Sequence, residues 1–293
     1  MTMPRTYATS GAFRRALEER LKRISRTEQV DINRLRRRVA FDRFLARLFR
    51  DEAAPWVLKG GYALELRFKS ARSTIDIDLT VQKVVAAADS GNAAQIIREM
   101  LQSAASVNLH DWLEYTIGAP TMELAGAPYG GARYAVDARM DGRIFAKFHV
   151  DAGIGDVIMQ PVERIECADL LDFAGIEKPT VRMIAREQQF AEKIHAYTLP
   201  RSSSNSRVKD LVDLALLIGE NQLNQRKTAG ALRLTFERRS THALPATLVA
   251  PPEDWQRPFE ALAEECGLQT DIVEVFESVH EFFVRTLADA TEQ

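Results

Sequence analysis

Cysteine is nearly absent: the 293-residue chain has two, Cys167 and Cys266, far apart in sequence. That excludes a disulfide framework and a cysteine-built zinc site, makes a reducing compartment the expectation, and leaves both residues as structural filler. Histidine is scarce too, five in all. With no His-x-x-x-His pair or nearby cysteine pair, His149 and His195 are not read as zinc ligands. Long apolar runs are missing as well. No stretch approaches the roughly 18 uncharged residues of a membrane-spanning helix, and MTMPRTYATSGAFRRALEER at the N-terminus lacks the apolar core of a secretion signal. A cytoplasmic chain with no membrane contact is expected. Trp56, Trp112 and Trp255 read as core or interface, and no internal repeat occurs.

The residues present, 46% hydrophobic and 27% charged, suit one large globular domain or two ordinary ones. Net charge is only −2, but its distribution is uneven. Residues 1–50 hold 14 Arg and Lys against 5 Asp and Glu, and the rest of the chain holds 25 against 36. A basic arm beside an acidic body suits a polyanion bound near a metal-dependent site; the alternative is a solvated arginine face on an amphipathic helix. Arg36, Arg37 and Arg38 are consecutive, so they fan out around a helix and cannot all line one groove.

Apolar spacing predicts helices over 12–24 and 32–49, then a short strand at Trp56-Val57-Leu58, the turn Gly60-Gly61 and a helix from Tyr62 to Phe68. Thr74 to Val81 alternates strictly. Ile75, Ile77 and Leu79 fall on one face and Thr74, Asp76, Asp78 and Thr80 on the other, the pattern of a strand with one buried face. A helix over 94–105 follows. Asp141-Gly142 separates two β-rich runs, YAVDARM and RIFAKFHVDAGI, and predicts a hairpin. In the second run Phe145, Lys147, His149 and Asp151 share a face. Beyond Pro161 the strands are expected to stop, leaving helices over 181–197, 208–218, 228–238 and 271–288, with Arg201 to Arg207 a mobile connection by composition.

Asp76 and Asp78, two bare carboxylates on one strand face, repel unless a cation lies between them. Joined by Asp151 from a neighbouring strand, they form an oxygen cage for Mg²⁺ or Mn²⁺, the arrangement that stabilises attacking and leaving oxygens in phosphoryl transfer. A Gly-Gly turn at a helix start lets backbone N–H groups approach phosphate, and Lys59 adds a point charge.

Leu58-Lys59-Gly60-Gly61 followed by Asp76-Ile77-Asp78 resembles the signature of the DNA-polymerase-β-type nucleotidyltransferases. KGGYALELR, RSTIDIDL, FHVDAGIG, QQFAEKIHAY, RVKDLVDL and LTFERRSTHALP together resemble the AbiEii/AbiGii toxins, including MenT-type toxins that add nucleotides to tRNA 3′ ends. The segments run from about Leu58 to Pro245. The resemblance implies that Lys59, Gly60 and Gly61 bind the triphosphate and that Asp76 and Asp78 hold catalytic metals, with Asp151 as third acid, placed to assist deprotonation of the acceptor. Lys193 would hold triphosphate oxygens, and Asp213 would complete the site with Asp210 and Arg207 on the substrate side; Asp210 could equally just pair with Arg207. Family members usually carry Ser or Thr after KGG. Here it is Tyr62, so whether a hydroxyl binds phosphate there is open. Ser73 and Thr74 are candidate regulatory hydroxyls, because the matching motif is where some MenT-type toxins are thought to be silenced by a kinase antitoxin.

The expectation is an α/β nucleotidyltransferase-fold mixed sheet with flanking helices over residues 1–160 and a helical C-terminal domain over 161–293. Its reaction would transfer NMP from a nucleoside triphosphate to RNA, the tRNA 3′ end above all, blocking translation under the restraint of an antitoxin. Two alternatives stand beside it: transfer to a small molecule or protein side chain, and a lapsed RNA- or antitoxin-binding module.

Overall fold

The computed structural model describes residues 6–82, 92–124, 126–168, 170–200, 207–269 and 271–288. It divides into two compact units, one of residues 1–62, 73–155 and 164–183, the other of residues 63–72, 156–163 and 184–293. The expected boundary at 160 differs from these units in three places. Residues 63–72 and 156–160 belong with the helical unit and 164–183 with the sheet.

The first unit opens with helices α1 (Ser10–Glu28) and α2 (Ile32–Leu48). Thr9 and Asp31 cap them, each accepting a backbone N–H three residues on, which satisfies donors a helix start leaves unpaired. Strand β1 (Trp56–Lys59) runs into α3 (Gly60–Arg67), followed by β2 (Asp76–Val81) and α4 (Ala93–Ala105). Next come β3 (Glu114–Glu123), β4 (Gly131–Met140), β5 (Arg143–Ile154), β6 (Glu163–Glu166) and β7 (Thr180–Met183). The seven strands form one mixed sheet in the order β3-β4-β5-β2-β1-β7-β6. β2 lies parallel to β5, and β1 antiparallel to β2 and parallel to β7.

The β4–β5 hairpin turns at Asp141 and Gly142, both with positive φ, 56° and 68°, which is why Asp-Gly stands there. On α2, Phe41 and Phe44 are buried and pack edge-on against Phe148 of β5. Much of the basic arm is used inside this unit. Arg43 and Arg47 both bind the buried Asp111, Arg36 pairs with Glu18, and Arg14 donates to the carbonyls of Met140 and Ile144. Those charges hold the helices to each other, to loops and to strands.

The second unit contains α5 (Arg186–Thr198), α6 (Val208–Gly219), α7 (Gln225–Arg239), α8 (Gln256–Glu265) and α9 (Ile272–Ala288). Phe190, Ile194, Leu211, Leu217, Trp255 and Phe283 lie in its core, joined by Leu64 and Phe68 of the 63–72 segment.

Three expectations are corrected. Strands do not stop at Pro161: β6 and β7 follow it, and the helix expected from Val181 splits into β7 and α5. The parallel pairing of Met183 with Leu58 is a long-range bond that local periodicity does not report. β2 begins at Asp76, so Thr74 and Ile75 precede the strand, and Ile75 is 62% exposed. The mobile connection expected at 201–207 lies, up to residue 206, outside the described residues.

Candidate active site

β2 places Asp76 and Asp78 on one face, and its neighbours extend that face in register. Asp78 stands opposite Asp151 of β5 and Lys59 of β1, and Asp151 opposite Arg133 of β4. Across adjacent strands the row therefore reads Arg133, Asp151, Asp78, Lys59, with cations outside and carboxylates inside. Arg133 forks onto Asp151, Nε and Nη2 each donating at 2.7 Å, and Nη2 lies 3.6 Å from Asp76 Oδ2. The hydrogen bonds to Asp151 raise the guanidinium's pKa further above its already high value. Asp76 stands opposite His149, whose Nδ1 is 3.3 Å from Asp76 Oδ1.

The turn beside this row depends on glycine. Gly60 has φ +66°, and a Cβ built there would lie 1.9 Å from Asp78 Oδ2. Only a residue without a side chain gives both the left-handed backbone and the room that the carboxylate occupies.

In the helical unit, Lys193 of α5 donates to Asp210 Oδ1 at 2.9 Å and lies 2.6 Å from Asp213 Oδ2. Arg72 forks onto Asp213 at 3.0 and 2.9 Å, and Arg207 reaches Asp210 at 3.3 Å. Asp210 and Asp213 are fully buried. Burial opposes charge on Asp213, yet Lys193 and Arg72 outweigh it and hold the carboxyl below its usual range. For Lys193 too burial opposes charge, and the attraction of Asp210 and Asp213 prevails, raising its pKa. Far from an ordinary exposed lysine, Lys193 is the centre of an ion cluster.

A family model described as nucleotidyl transferase AbiEii toxin, type IV toxin–antitoxin system, matches residues 43–282. The chain belongs to the AbiEii family. Among curated proteins none matches it. Two solved structures are similar to it, one described as a candidate nucleotidyltransferase from H. pylori and one of JHP933 from Helicobacter pylori. They share 14% and 16% identity, each covering 90% of this chain and 98% of the other at a TM-score of 0.45. Family membership makes this chain a nucleotidyl transferase toxin with a nucleotide substrate and an antitoxin partner. Among the described residues no helix is long and apolar enough to cross a membrane. The AbiEii match starts inside α2 and leaves out Arg36, Arg37 and Arg38.

Directly after the Gly-Gly turn, the Tyr62 side chain is fully buried and its hydroxyl donates to Asp42. It serves the core and offers phosphate nothing. Ser73 Oγ accepts from Arg37 at 2.9 Å, and the Thr74 hydroxyl donates to the Asp76 carbonyl at 3.4 Å. The strand-face argument for Thr74 falls away because the strand starts after it.

As a metal cradle the sheet face fits in part. Asp76 and Asp78 suit a divalent cation that completes its shell with phosphate and water oxygens, and Arg133 already sits there as a positive stand-in. Both oxygens of Asp151 accept from that arginine. Among the described residues no group of three or more His, Cys, Asp or Glu side chains is arranged to hold a metal ion. Sequence reasoning missed two residues of these clusters. Arg72 stands inside the RSTIDIDL motif and was given no role, and Arg133 carries no local signal at all, since only the β4–β5 register brings it to Asp151.

Proposed function

We propose that this AbiEii protein transfers NMP from a nucleoside triphosphate to an RNA acceptor, the tRNA 3′ end, and so blocks translation until its antitoxin restrains it. The acceptor hydroxyl attacks the α-phosphorus, the bond to the pyrophosphate oxygen breaks, and the hydroxyl proton leaves to a carboxylate of the sheet face. A divalent ion, Mg²⁺ or Mn²⁺, would be held by Asp76 and Asp78 and would neutralise charge building on the phosphate oxygens. Gly60, Gly61 and Lys59 receive the triphosphate. Within the helical unit, Lys193 is the phosphate-binding cation, held in place by Asp213 and Asp210.

The observation that carries this reading is the pair Asp76 and Asp78 on one strand face, with Asp78 packed into the space that Gly60 leaves. The basic arm adds little, because Arg14, Arg36, Arg43 and Arg47 bind groups of their own unit. To test it, the purified protein is incubated with Mg²⁺ and each radiolabelled nucleotide, first with total RNA and then with protein extract. Label on tRNA, lost in Asp78→Asn, is the expected result. Label on protein alone, or on a small molecule, would replace the RNA reading with transfer to that acceptor.

A further inference from the structure

The row Arg133, Asp151, Asp78, Lys59 has two carboxylates side by side, with Asp76 two positions away along β2 on the same face. Like charges on facing positions of adjacent strands repel one another, so this row of acids needs a cation. The chain supplies one. Arg133 is bonded through two parallel N–H groups to Asp151 and stands 3.6 Å from Asp76. A planar fork matched to a carboxylate is the strongest and most directional pairing a side chain offers. An ion taking Asp151 as a ligand would have to compete with the arginine for the same oxygens and lie against a guanidinium that cannot lose its charge.

Resting on the reading of Asp76 and Asp78 as a metal pair, we infer that Arg133 takes the place of a second divalent ion. The site holds one ion, on Asp76 and Asp78, and Asp151 anchors Arg133 instead of binding metal. Arg133 is then a positioning residue: it keeps Asp151 out of the coordination shell and its charge beside Asp76, where phosphate oxygens would gather. Asp151, placed as third acid by its motif, acts through the arginine.

Mn²⁺ binding to the full chain without nucleotide, followed by electron paramagnetic resonance, tests this. The wild type is expected to bind one ion, and Asp76→Asn to lose it. Arg133→Met frees Asp151 and should take up a second ion or bind Mn²⁺ at least tenfold tighter, and Arg133→Met with Asp151→Asn should return to wild-type behaviour. Arg133→Lys keeps the charge but not the fork, and covers the case in which the methionine variant does not fold; it should bind at least threefold tighter than wild type. Two ions on the wild type, or binding unchanged in the Arg133 variants, would overturn the inference and leave the metal pair standing. No Mn²⁺ on any form would remove the metal pair and the inference together.

Discussion

Replacing Asp42 by Asn should remove a pH dependence from the stability of the sheet unit. Asp42 is 3% exposed on α2, and its Oδ1 accepts from the Tyr62 hydroxyl. Burial pushes its carboxyl up to about 6 from the usual 3.8, against the hydrogen bond from Tyr62 and the nearby charge of Arg38. Between those values the folded chain keeps a proton that the unfolded chain has released. This contribution is therefore fully present below about pH 3.8, shrinks as pH rises, and is gone once pH passes about 6. A shift of about two units at 1.36 kcal/mol each makes the swing about 3 kcal/mol. Asn has nearly the same shape and can still accept from Tyr62, but it does not titrate. Urea unfolding of wild type and Asp42→Asn at intervals from about pH 4 to about pH 7 measures the difference. Taking the difference matters, because burial holds His195 down at about 3. That histidine acts with the opposite sign, contributing stability above its unfolded value and losing it as pH falls. Wild type should lose about 2.5 kcal/mol relative to the variant across that range, and Tyr62→Phe, which withdraws a hydrogen bond from the charged form, should carry the loss to higher pH. A difference flat to within about 0.5 kcal/mol would show that Asp42 ionises normally and would refute the reasoning. The pair anchors the start of α3, two residues past Gly60.

Gly60→Ala should cut transfer by about a hundredfold, the scale of losing one well-placed electrostatic group, because its Cβ would displace Asp78. Gly142→Ala, with φ +68° and nothing within 4 Å, carries the backbone strain alone, so equal activity in the two variants would clear Gly60 of a site role. Lys193→Met leaves Asp210 and Asp213 buried with too little positive charge and should destabilise the helical unit by about 3–5 kcal/mol in urea unfolding. The Thr74 hydroxyl donates to the Asp76 backbone carbonyl, so a phosphate there would bring roughly −1.5 to −2 charges to that point of the chain. Thr74→Glu should therefore lose most transfer activity while Thr74→Val keeps much of it, and equal retention in a nucleotide-labelling assay would remove Thr74 from the site.

Local patterns reached a long way in this chain. The period-2 run put Asp76 and Asp78 on one face, Asp-Gly announced the β4–β5 hairpin, Gly-Gly marked the start of α3, and the spacing of Asp210 and Asp213 placed both on one helix face. Each of these rests on bonds or steric limits between residues a few positions apart, which is why the sequence by itself determined them. Pairing between distant segments was decided only in the tertiary structure. β7 is a strand because Met183 meets Leu58, and Tyr62 is a core residue because Asp42 lies buried opposite its hydroxyl. Lys193 belongs to an ion cluster because two acids on α6 and Arg72 from a remote segment converge on one point. Arg133 is the clearest case: nothing around it in sequence marks it. Strand register sets it opposite Asp151, and the repulsion among carboxylates that the sequence did reveal is what gives that arginine its place.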